Sequence, residues 1–150
     1  MITDIKHMAF AVRDANASLA AYQRLLNVGH EASVKDYAKS RTRTALLNAG
    51  GIELQLCQSL DPDGRFAEWI NERGGEGLHH ICFSVDDLDE ALSYAQANGA
   101  MLKECRACKI TGKHAHPEGY IAFLEDQVSG LEIEFMQVYK PGEAQNIQGV

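Results

Sequence analysis

Two segments of this chain repeat each other with a histidine in the same place. Residues 6–12 read Lys-His-Met-Ala-Phe-Ala-Val and residues 79–85 read His-His-Ile-Cys-Phe-Ser-Val, which aligns His7 with His80 at an offset of 73 residues. A second pair of similar segments lies near the end of each half. Residues 51–56 match residues 130–135, which aligns Gln55 with Glu134. A chain with this internal similarity is predicted to fold as two copies of one structural unit.

Hydrophobic periodicity and turn signals predict the same order of elements in each half. For the first half they predict strand Ile5–Val12, a helix over 15–26 capped by Asp14 and stopped by Gly29, and strands over 31–37, 41–47 and 52–57, with a hairpin turn at residues 48–51. For the second half they predict a strand over 78–85, a cap at 86–87, a helix over 89–98 stopped by Gly99, and strands over 101–107, 120–124 and 130–138, with a loop at 108–118. The predicted order is therefore βαβββ, twice.

This order predicts an α+β fold in which two βαβββ modules form a curled mixed sheet around a central cavity. We expect a single domain, with module one at about residues 4–60, a connector at 61–76 that contains a short helix over 66–73, and module two at 77–138. The tail, residues 139–150, is polar and is expected to fray. A chain of 150 residues is long enough to bury a hydrophobic core without stabilisation by disulfides or a structural metal.

Composition excludes several classes of function. A net charge of −7 argues against nucleic-acid binding, which needs a basic surface, although a metal or a few local cations can still attract a small anion. The chain has no apolar run of about 18 residues, so no membrane span is predicted. The first residues lack the basic and apolar segments of a signal peptide, and two of the cysteines fall in apolar strand patterns, so we expect a reduced, cytoplasmic protein.

The repeated positions predict a metal site. Side chains alternate along a strand, so Glu53 shares a face with Gln55, and Glu132 shares a face with Glu134. Taken together, His7, Gln55, His80 and Glu134 would offer two imidazole nitrogens and two oxygens, which suits one divalent ion such as Zn, Co, Ni, Mn or Mg. The adjacent His79 should point to the opposite face and act as a structural or supporting residue.

The segment Gly-Leu-His-His-Ile-Cys-Phe-Ser-Val-Asp-Asp at residues 77–87 resembles the vicinal oxygen chelate superfamily, the glyoxalase/bleomycin resistance proteins, and within it the methylmalonyl-CoA epimerases. The similarity runs from about Ile5 to Gln137 and includes the Ala-Glu-Trp-Ile helix at 67–70. The resemblance implies that the metal ligands are His7, Gln55, His80 and Glu134. Gln55 is the discriminating ligand, because glyoxalase I enzymes usually have Glu there.

The resemblance also implies an activity, the epimerisation of a 2-methylmalonyl-CoA-like thioester through an enolate. A metal that binds the thioester carbonyl and the carboxylate stabilises the enolate, while a base removes the α-proton and a second group returns one. Glu134 is the expected proton-transfer residue. With Gln55 neutral, the site keeps a net positive charge that favours a dianionic substrate. A homodimer is expected by resemblance.

The chain departs from the epimerase pattern at one position. Some epimerases carry a further catalytic Glu on the third strand of the first half, whereas here Thr44 falls near that place and no carboxylate lies between Arg41 and Leu47. The second acid or base therefore stays unidentified. Arg41 and Arg43 share a strand face, and we take Arg43 and Thr44 as candidate substrate contacts, the alternative being a solvated face.

The segment 108–118 is basic, and Lys113 and His114 are candidate contacts to a CoA phosphate or a substrate carboxylate, the alternative being a solvated loop. Cys105 and Cys108 form a lone C-x-x-C motif. We do not expect a zinc knuckle there, because its structural context is missing and its spacing to His114 and His116 is short.

Three other functions remain open from the sequence. The first is a lyase of the glyoxalase I type that acts on a glutathione hemithioacetal, which Gln55 disfavours. The second is a non-catalytic protein that binds a drug or metabolite, although such relatives commonly lack the complete ligand set. The third is a dioxygenase that holds iron with two His and one Glu.

Overall fold

The structure is a computed structural model, and it describes residues 1–143. Its elements in chain order are β1 (Ile2–Ala11), α1 (Ala15–Leu26), β2 (Val34–Tyr37), β3 (Thr42–Ala49), β4 (Ile52–Ser59), α2 (Arg65–Arg73), β5 (Gly77–Val85), α3 (Leu88–Ala97), β6 (Leu102–Cys105), β7 (Ile110–Thr111), β8 (His114–His116), β9 (Gly119–Val128) and β10 (Leu131–Val138). Strands dominate and are paired both parallel and antiparallel, so the predicted α+β class with mixed pairing is confirmed.

Three sequence-based expectations are corrected. The predicted loop at 108–118 contains two strands, β7 and β8, because its backbone pairs with β6 and β9. Helix α1 ends at Leu26 as predicted, but the residue that stops it is Asn27 and not Gly29, since Asn27 takes the left-handed conformation (φ 55°) and its N–H bonds to the Gln23 carbonyl. The predicted frayed tail begins with an anchored residue, because the Tyr139 hydroxyl donates to the His116 carbonyl at 2.8 Å. Residues 144–150 of that tail lie outside the described residues.

Contacts divide the chain into two compact units that do not follow the two sequence repeats. The unit that we call the N-terminal unit is His7–His80, and the C-terminal unit is Met1–Lys6 together with the chain from Ile81 onward. Strands β1 and β5 therefore each contribute residues to both units.

In the N-terminal unit the sheet order is β2-β3-β4-β1, with antiparallel pairing of β2, β3 and β4 and parallel pairing of β4 with β1. The turn between β3 and β4 uses Gly50 and Gly51 at φ 63° and 92°, values that favour glycine. One cluster of apolar residues packs with α1 (Val12, Ala15, Leu19, Ala45, Leu47, Leu56). A second cluster packs with α2 (Ala9, Ala11, Cys57, Phe66, Ile70).

In the C-terminal unit β10 pairs with β9, β9 pairs with β6 and β8, and β6 pairs with β7, all antiparallel. Helix α3 contacts β9 and β10 and covers an apolar cluster (Val85, Leu88, Leu92, Ala122, Leu124, Ile133, Phe135). A further cluster consists of Cys82, Cys105, Ile121, Phe123 and Met136. The short strand β8 thus brings residues 114–116 onto β9, where the sequence predicted only a loop.

The starts of α1 and α3 show that the sequence repeat is also a structural repeat. The Asp14 carboxylate accepts from the Ala17 N–H at 3.0 Å, and Asp87, at the same offset as the histidines, accepts from the Glu90 N–H at 2.9 Å. Both aspartates therefore act as the predicted N-caps.

A glutamine completes each of these helix starts. The Gln58 side chain on β4 accepts from the first N–H of α1 at 3.0 Å, and the Gln137 side chain on β10 accepts from the first N–H of α3 at 2.9 Å. Gln58 follows Gln55 by three residues, and Gln137 follows Glu134 by three. The two units, each taken by itself, therefore support the alignment of Gln55 with Glu134.

None of the helices within residues 1–143 has the length and apolar character that a membrane crossing needs.

Candidate functional site

Two buried histidines of the N-terminal unit face each other. The Nε2 atoms of His7 on β1 and His80 on β5 lie 3.4 Å apart, with the rings edge to face, and each residue is about 95% buried (5% and 4% exposed). This separation is long for a hydrogen bond between nitrogens. Two nitrogen ligands of one tetrahedral ion, each at about 2.1 Å from it, would stand roughly 3.4 Å apart. The pair therefore has the spacing of two ligands of a common ion.

His79 holds the other nitrogen of His80. The Nδ1 atoms of His79 and His80 lie 2.8 Å apart, and the His79 ring packs against the rings of Phe66 (4.9 Å between centroids) and Trp69 (5.6 Å) on α2. The sequence predicted that His79 points away from His80 as a structural or supporting residue. Its ring packs against α2, as expected of a structural residue, and it also contacts the His80 ring directly. A partner on Nδ1 fixes the orientation of the ring and leaves Nε2 for a ligand.

Gln55 is oriented by a neighbouring carboxylate. Gln55 lies on β4 opposite Ala9 of β1, and Glu53 lies opposite His7, so all four share one part of the sheet. The Gln55 amide nitrogen donates to Glu53 Oε1 at 2.8 Å. This bond leaves the amide oxygen of Gln55 as its remaining polar atom, and oxygen is the atom that an amide offers to a metal.

The donor set of the N-terminal unit fits the divalent ion that the sequence predicted. It contains two imidazole nitrogens that lie 3.4 Å apart, which suits two ligands of one ion. It also contains the amide oxygen of Gln55, whose amide nitrogen is hydrogen-bonded to Glu53. Borderline ions such as Zn²⁺, Co²⁺ and Ni²⁺ accept such a mixture of nitrogen and oxygen.

Glu134 lies on β10 in the C-terminal unit, where it is paired with Phe123 of β9 and is 4% exposed. Its neighbour on the same face, Glu132, is equally buried, and Lys103 Nζ lies 2.8 Å from the Glu132 carboxylate. Burial lowers the pKa of Lys103, but the hydrogen bond and charge of Glu132 outweigh it and raise that pKa above its usual value. Glu132 is therefore part of an ion pair.

The predicted substrate contacts on β3 have partners of their own. Arg43 makes two hydrogen bonds to Asp36 (2.7 and 3.0 Å), and Arg41 makes two to Asp61 (2.9 and 2.7 Å). The Arg43 side chain lowers the pKa of Asp36. A substrate carboxylate could use Arg43 only after displacing Asp36. Thr44 is buried and pairs with Cys57 across the sheet.

Lys113 and His114, the predicted contacts in the 108–118 segment, also occupy defined places. Lys113 Nζ lies 2.6 Å from the Asp89 carboxylate at the start of α3 and 4.9 Å from the centre of the Tyr120 ring. His114 is 6% exposed and lies with Cys105 and Cys108.

Sequence reasoning missed two supporting residues and one grouping. Glu53 was placed on the correct face, but only the hydrogen bond shows that it holds Gln55. The contact of His79 with His80 was not foreseen, because alternation along a strand does not describe how far a ring can reach. The grouping of Cys105 and Cys108 with His114 depends on the β6–β7 turn and on β8, which the sequence pattern did not reveal.

Known proteins match both the sequence and the structure. The family model described as "Glyoxalase/Bleomycin resistance protein/Dioxygenase superfamily" matches residues 6–110. The ethylmalonyl-CoA/methylmalonyl-CoA epimerase of Cereibacter sphaeroides is 28% identical over 141 residues, which cover 92% of this chain and 100% of that protein.

Two solved structures show the same fold. The crystal structure of methylmalonyl-CoA epimerase from Mycobacterium tuberculosis matches with a TM-score of 0.74 at 21% identity, covering 93% of this chain and 91% of that chain. A methylmalonyl-CoA epimerase in complex with methylmalonyl-CoA and NH4+ matches with a TM-score of 0.72 at 23% identity, covering 92% and 96%. The fold predicted by resemblance is thereby confirmed.

Proposed function

The chain belongs to the glyoxalase/bleomycin resistance protein/dioxygenase superfamily, and from this premise we propose that it epimerises a 2-methylmalonyl-CoA-like thioester with the help of one divalent metal ion. The observation that carries this proposal is the buried histidine pair of His7 and His80 beside an amide oriented by Glu53. The substrate class is taken from the name of the similar Cereibacter sphaeroides protein, an ethylmalonyl-CoA/methylmalonyl-CoA epimerase.

We propose His7, Gln55, His80 and Glu134 as the four protein ligands. The spacing of the histidine nitrogens and the orientation of Gln55 support the first three. Glu134 enters through the repeat, because Gln58 and Gln137 make the same helix-starting hydrogen bond three residues beyond Gln55 and Glu134. The equivalent strands of the two repeats thus offer an oxygen donor at the same position.

The proposed metal has one chemical task. When bound, a divalent ion would act as a Lewis acid for the negative charge that develops on the thioester oxygen as the α-proton leaves. The ligand set has one carboxylate and three neutral groups, so the ion and its four ligands together have a charge of about +1. The Glu53 carboxylate beside Gln55 offsets part of this charge.

Epimerisation also needs two groups that move a proton on opposite faces of the α-carbon. We propose Glu134 as one of them. The second is missing from β3, where Thr44 stands, and we propose Glu53 for this role. Glu53 is half-buried, shares its strand face with Gln55, and lies opposite His7 in the register of β4 with β1. It can therefore both hold the Gln55 amide and accept or return a proton nearby.

The experiment that tests the function follows the α-hydrogen. One epimer of methylmalonyl-CoA is incubated with metal-loaded protein in heavy water, and proton NMR measures exchange at the α-carbon against a sample without protein. We expect rapid exchange together with formation of the other epimer. No exchange above the protein-free rate, with the metal site loaded, would refute the proposal, and loss of a methylglyoxal–glutathione adduct instead would favour the lyase.

A matched pair of variants tests the role of Glu134. Glu134→Gln removes the carboxylate, whereas Glu132→Gln makes the same change two residues away on the same face. Glu132→Gln keeps a side-chain oxygen to accept from Lys103. We expect exchange to fall by at least about 10²-fold only in Glu134→Gln. An exchange rate in Glu134→Gln equal to that of the wild type would show that Glu134 has no part in proton transfer.

The oligomeric state follows from resemblance alone, and we propose a homodimer. Light scattering coupled to size-exclusion chromatography distinguishes it from a monomer.

A further inference from the structure

Two cysteines and a histidine form a cluster in the C-terminal unit that the proposed epimerase chemistry does not use. The Sγ atoms of Cys105 and Cys108 and a ring nitrogen of His114 all lie within 4.8 Å of one another. Cys105 and His114 are each 6% exposed, and Cys108 is half-buried. Three groups that bind soft metal ions are thus gathered at one point, with one of them near the surface.

The two cysteines sit on a turn whose backbone fixes their approach. Cys105 pairs with Ile110 at the end of the β6–β7 hairpin, so residues 106–109 form the connecting turn. Lys109 takes the left-handed conformation at φ 59°, and its N–H bonds to the Cys105 carbonyl at 2.7 Å. A tight turn of this kind brings the side chains of a C-x-x-C motif together, as metal sites with two nearby thiolates require.

His114 is oriented towards the thiols by its other nitrogen. The Nδ1–H of His114 donates to the Gly112 carbonyl at 2.8 Å, which fixes the orientation of the ring and places a hydrogen on Nδ1. Within residues 1–143, the buried Nε2 atom of His114 makes no hydrogen bond of good geometry, and the Cys105 thiol is the group that interacts with the ring. A bound ion would use this nitrogen together with the Cys105 sulfur. Phe123 packs on the ring at 6.1 Å between centroids.

The surroundings of Cys105 also favour a thiolate. The backbone N–H groups of Cys108 and Ala107 hydrogen-bond to the Cys105 sulfur, and the His114 ring lies beside it. Backbone N–H groups directed at a sulfur stabilise its negative charge whether the charge belongs to a free thiolate or to a metal ligand.

We propose that Cys105, Cys108 and His114 bind a zinc ion, with water or an external ligand in the fourth position. Two thiolates and an imidazole are a donor set that selects Zn²⁺ among the common divalent ions, because carboxylate and amide oxygens are absent from it. The ligand atoms need to close only slightly, since bonds of about 2.3 Å to sulfur and about 2.0 Å to nitrogen would place them somewhat under 4 Å apart.

The site shares no residue with the proposed epimerase site, so the two can be tested separately. The probe is Co²⁺, which replaces Zn²⁺ and absorbs strongly in the near ultraviolet only when thiolates are bound to it. We expect reduced, metal-free protein to develop this thiolate-to-cobalt absorption, together with the visible bands of a tetrahedral ion, and to lose both when Zn²⁺ is added. These readouts do not depend on activity.

Substitutions assign the absorption to the cluster. Cys108→Ser and His114→Gln should each weaken cobalt binding, measured by titration, by at least about 100-fold. Cys57→Ser changes a buried thiol outside the cluster and should keep the absorption. Circular dichroism of every variant shows whether it has folded, and Cys108, the most exposed of the three ligands, is the variant that is safest in this respect.

Two results would overturn the proposal. The first is wild-type protein that binds cobalt without thiolate absorption, because the ion would then be held only by nitrogen and oxygen. The second is a stable disulfide between Cys105 and Cys108 that forms in air even when Zn²⁺ is in excess, detected by mass spectrometry and reversed by a reductant. That outcome would show a redox pair in place of a metal site.

Discussion

The hydrogen bond from Gln55 to Glu53 predicts a specific consequence of placing a second carboxylate on β4. The change Gln55→Glu would replace a donor–acceptor contact of 2.8 Å by two carboxylate groups at nearly the same separation. Two unit charges about 4 Å apart repel by roughly 4 kcal/mol at an effective dielectric of 20. The folded protein can instead bind a proton, which at pH 7 costs about 3.7 kcal/mol for a glutamate whose ordinary pKa is about 4.3.

These two values set an upper limit on the loss of stability. Both residues are half-buried, so water screens part of the repulsion. We expect Gln55→Glu to lower the free energy of unfolding of the metal-free protein by about 1–3 kcal/mol at pH 7. The paired carboxylates bind a proton more tightly in the folded than in the unfolded chain, so the loss should be smallest near pH 4 and grow as the pH rises to 7.

The assay is urea unfolding in the presence of a chelator, followed by circular dichroism, for four proteins that form a double-mutant cycle. Glu53→Gln keeps an acceptor for Gln55, and the double variant Glu53→Gln/Gln55→Glu exchanges the charge and the amide. We expect the double variant to recover most of the stability that Gln55→Glu alone loses. A single variant as stable as the wild type, or a double variant without recovery, would refute the contact between residues 53 and 55.

Three further predictions concern single residues. Glu53→Gln should keep metal binding but slow α-hydrogen exchange by about 10²–10⁴-fold if Glu53 moves a proton, so unchanged exchange would leave it only the role of holding Gln55. His79→Phe keeps a ring packed against α2 but removes the nitrogen that contacts His80. We expect it to keep the fold and to weaken the binding of Co²⁺ at the histidine pair by about 10–100-fold, measured by titration. Ser59 accepts from two N–H groups at the start of α2 (2.9 and 3.2 Å), so Ser59→Ala should lower the free energy of unfolding by about 1–2 kcal/mol, and an unchanged urea midpoint would contradict this.

The elements that the sequence predicted well are those whose signals are local. Asp14 and Asp87 were recognised as helix caps because a short acidic side chain precedes an apolar helical pattern, and the structure confirms both. The hairpin at Gly50 and Gly51 was recognised because left-handed conformations favour glycine. In each case the residue that carries the signal is also the residue that makes the contact.

The elements that the sequence did not predict depend on pairing between distant residues. Strand β8 is too short to show a period of its own, and it exists because residues 114–116 bond to residues 119–121 on β9. The same pairing brings His114 to Cys105 and Cys108 on a different hairpin. The spacing along the chain therefore did not predict that these three residues lie together. The number of residues between Cys108 and His114 says little about their distance across a folded sheet.

The repeat supports the proposed metal ligands more strongly in the structure than it does in the sequence. Similar apolar patterns can arise in any two strands, so an alignment of Gln55 with Glu134 from the sequence alone rests on a few letters. Gln58 and Gln137 add a second similarity between the two strands. Each lies three residues after the proposed oxygen donor and accepts from the first N–H of the helix in its own unit. A shift of either strand by one residue would turn that glutamine to the opposite face and break the bond. The capping bonds therefore fix the register of β4 relative to α1 and of β10 relative to α3, and they support the proposed equivalence of Gln55 and Glu134.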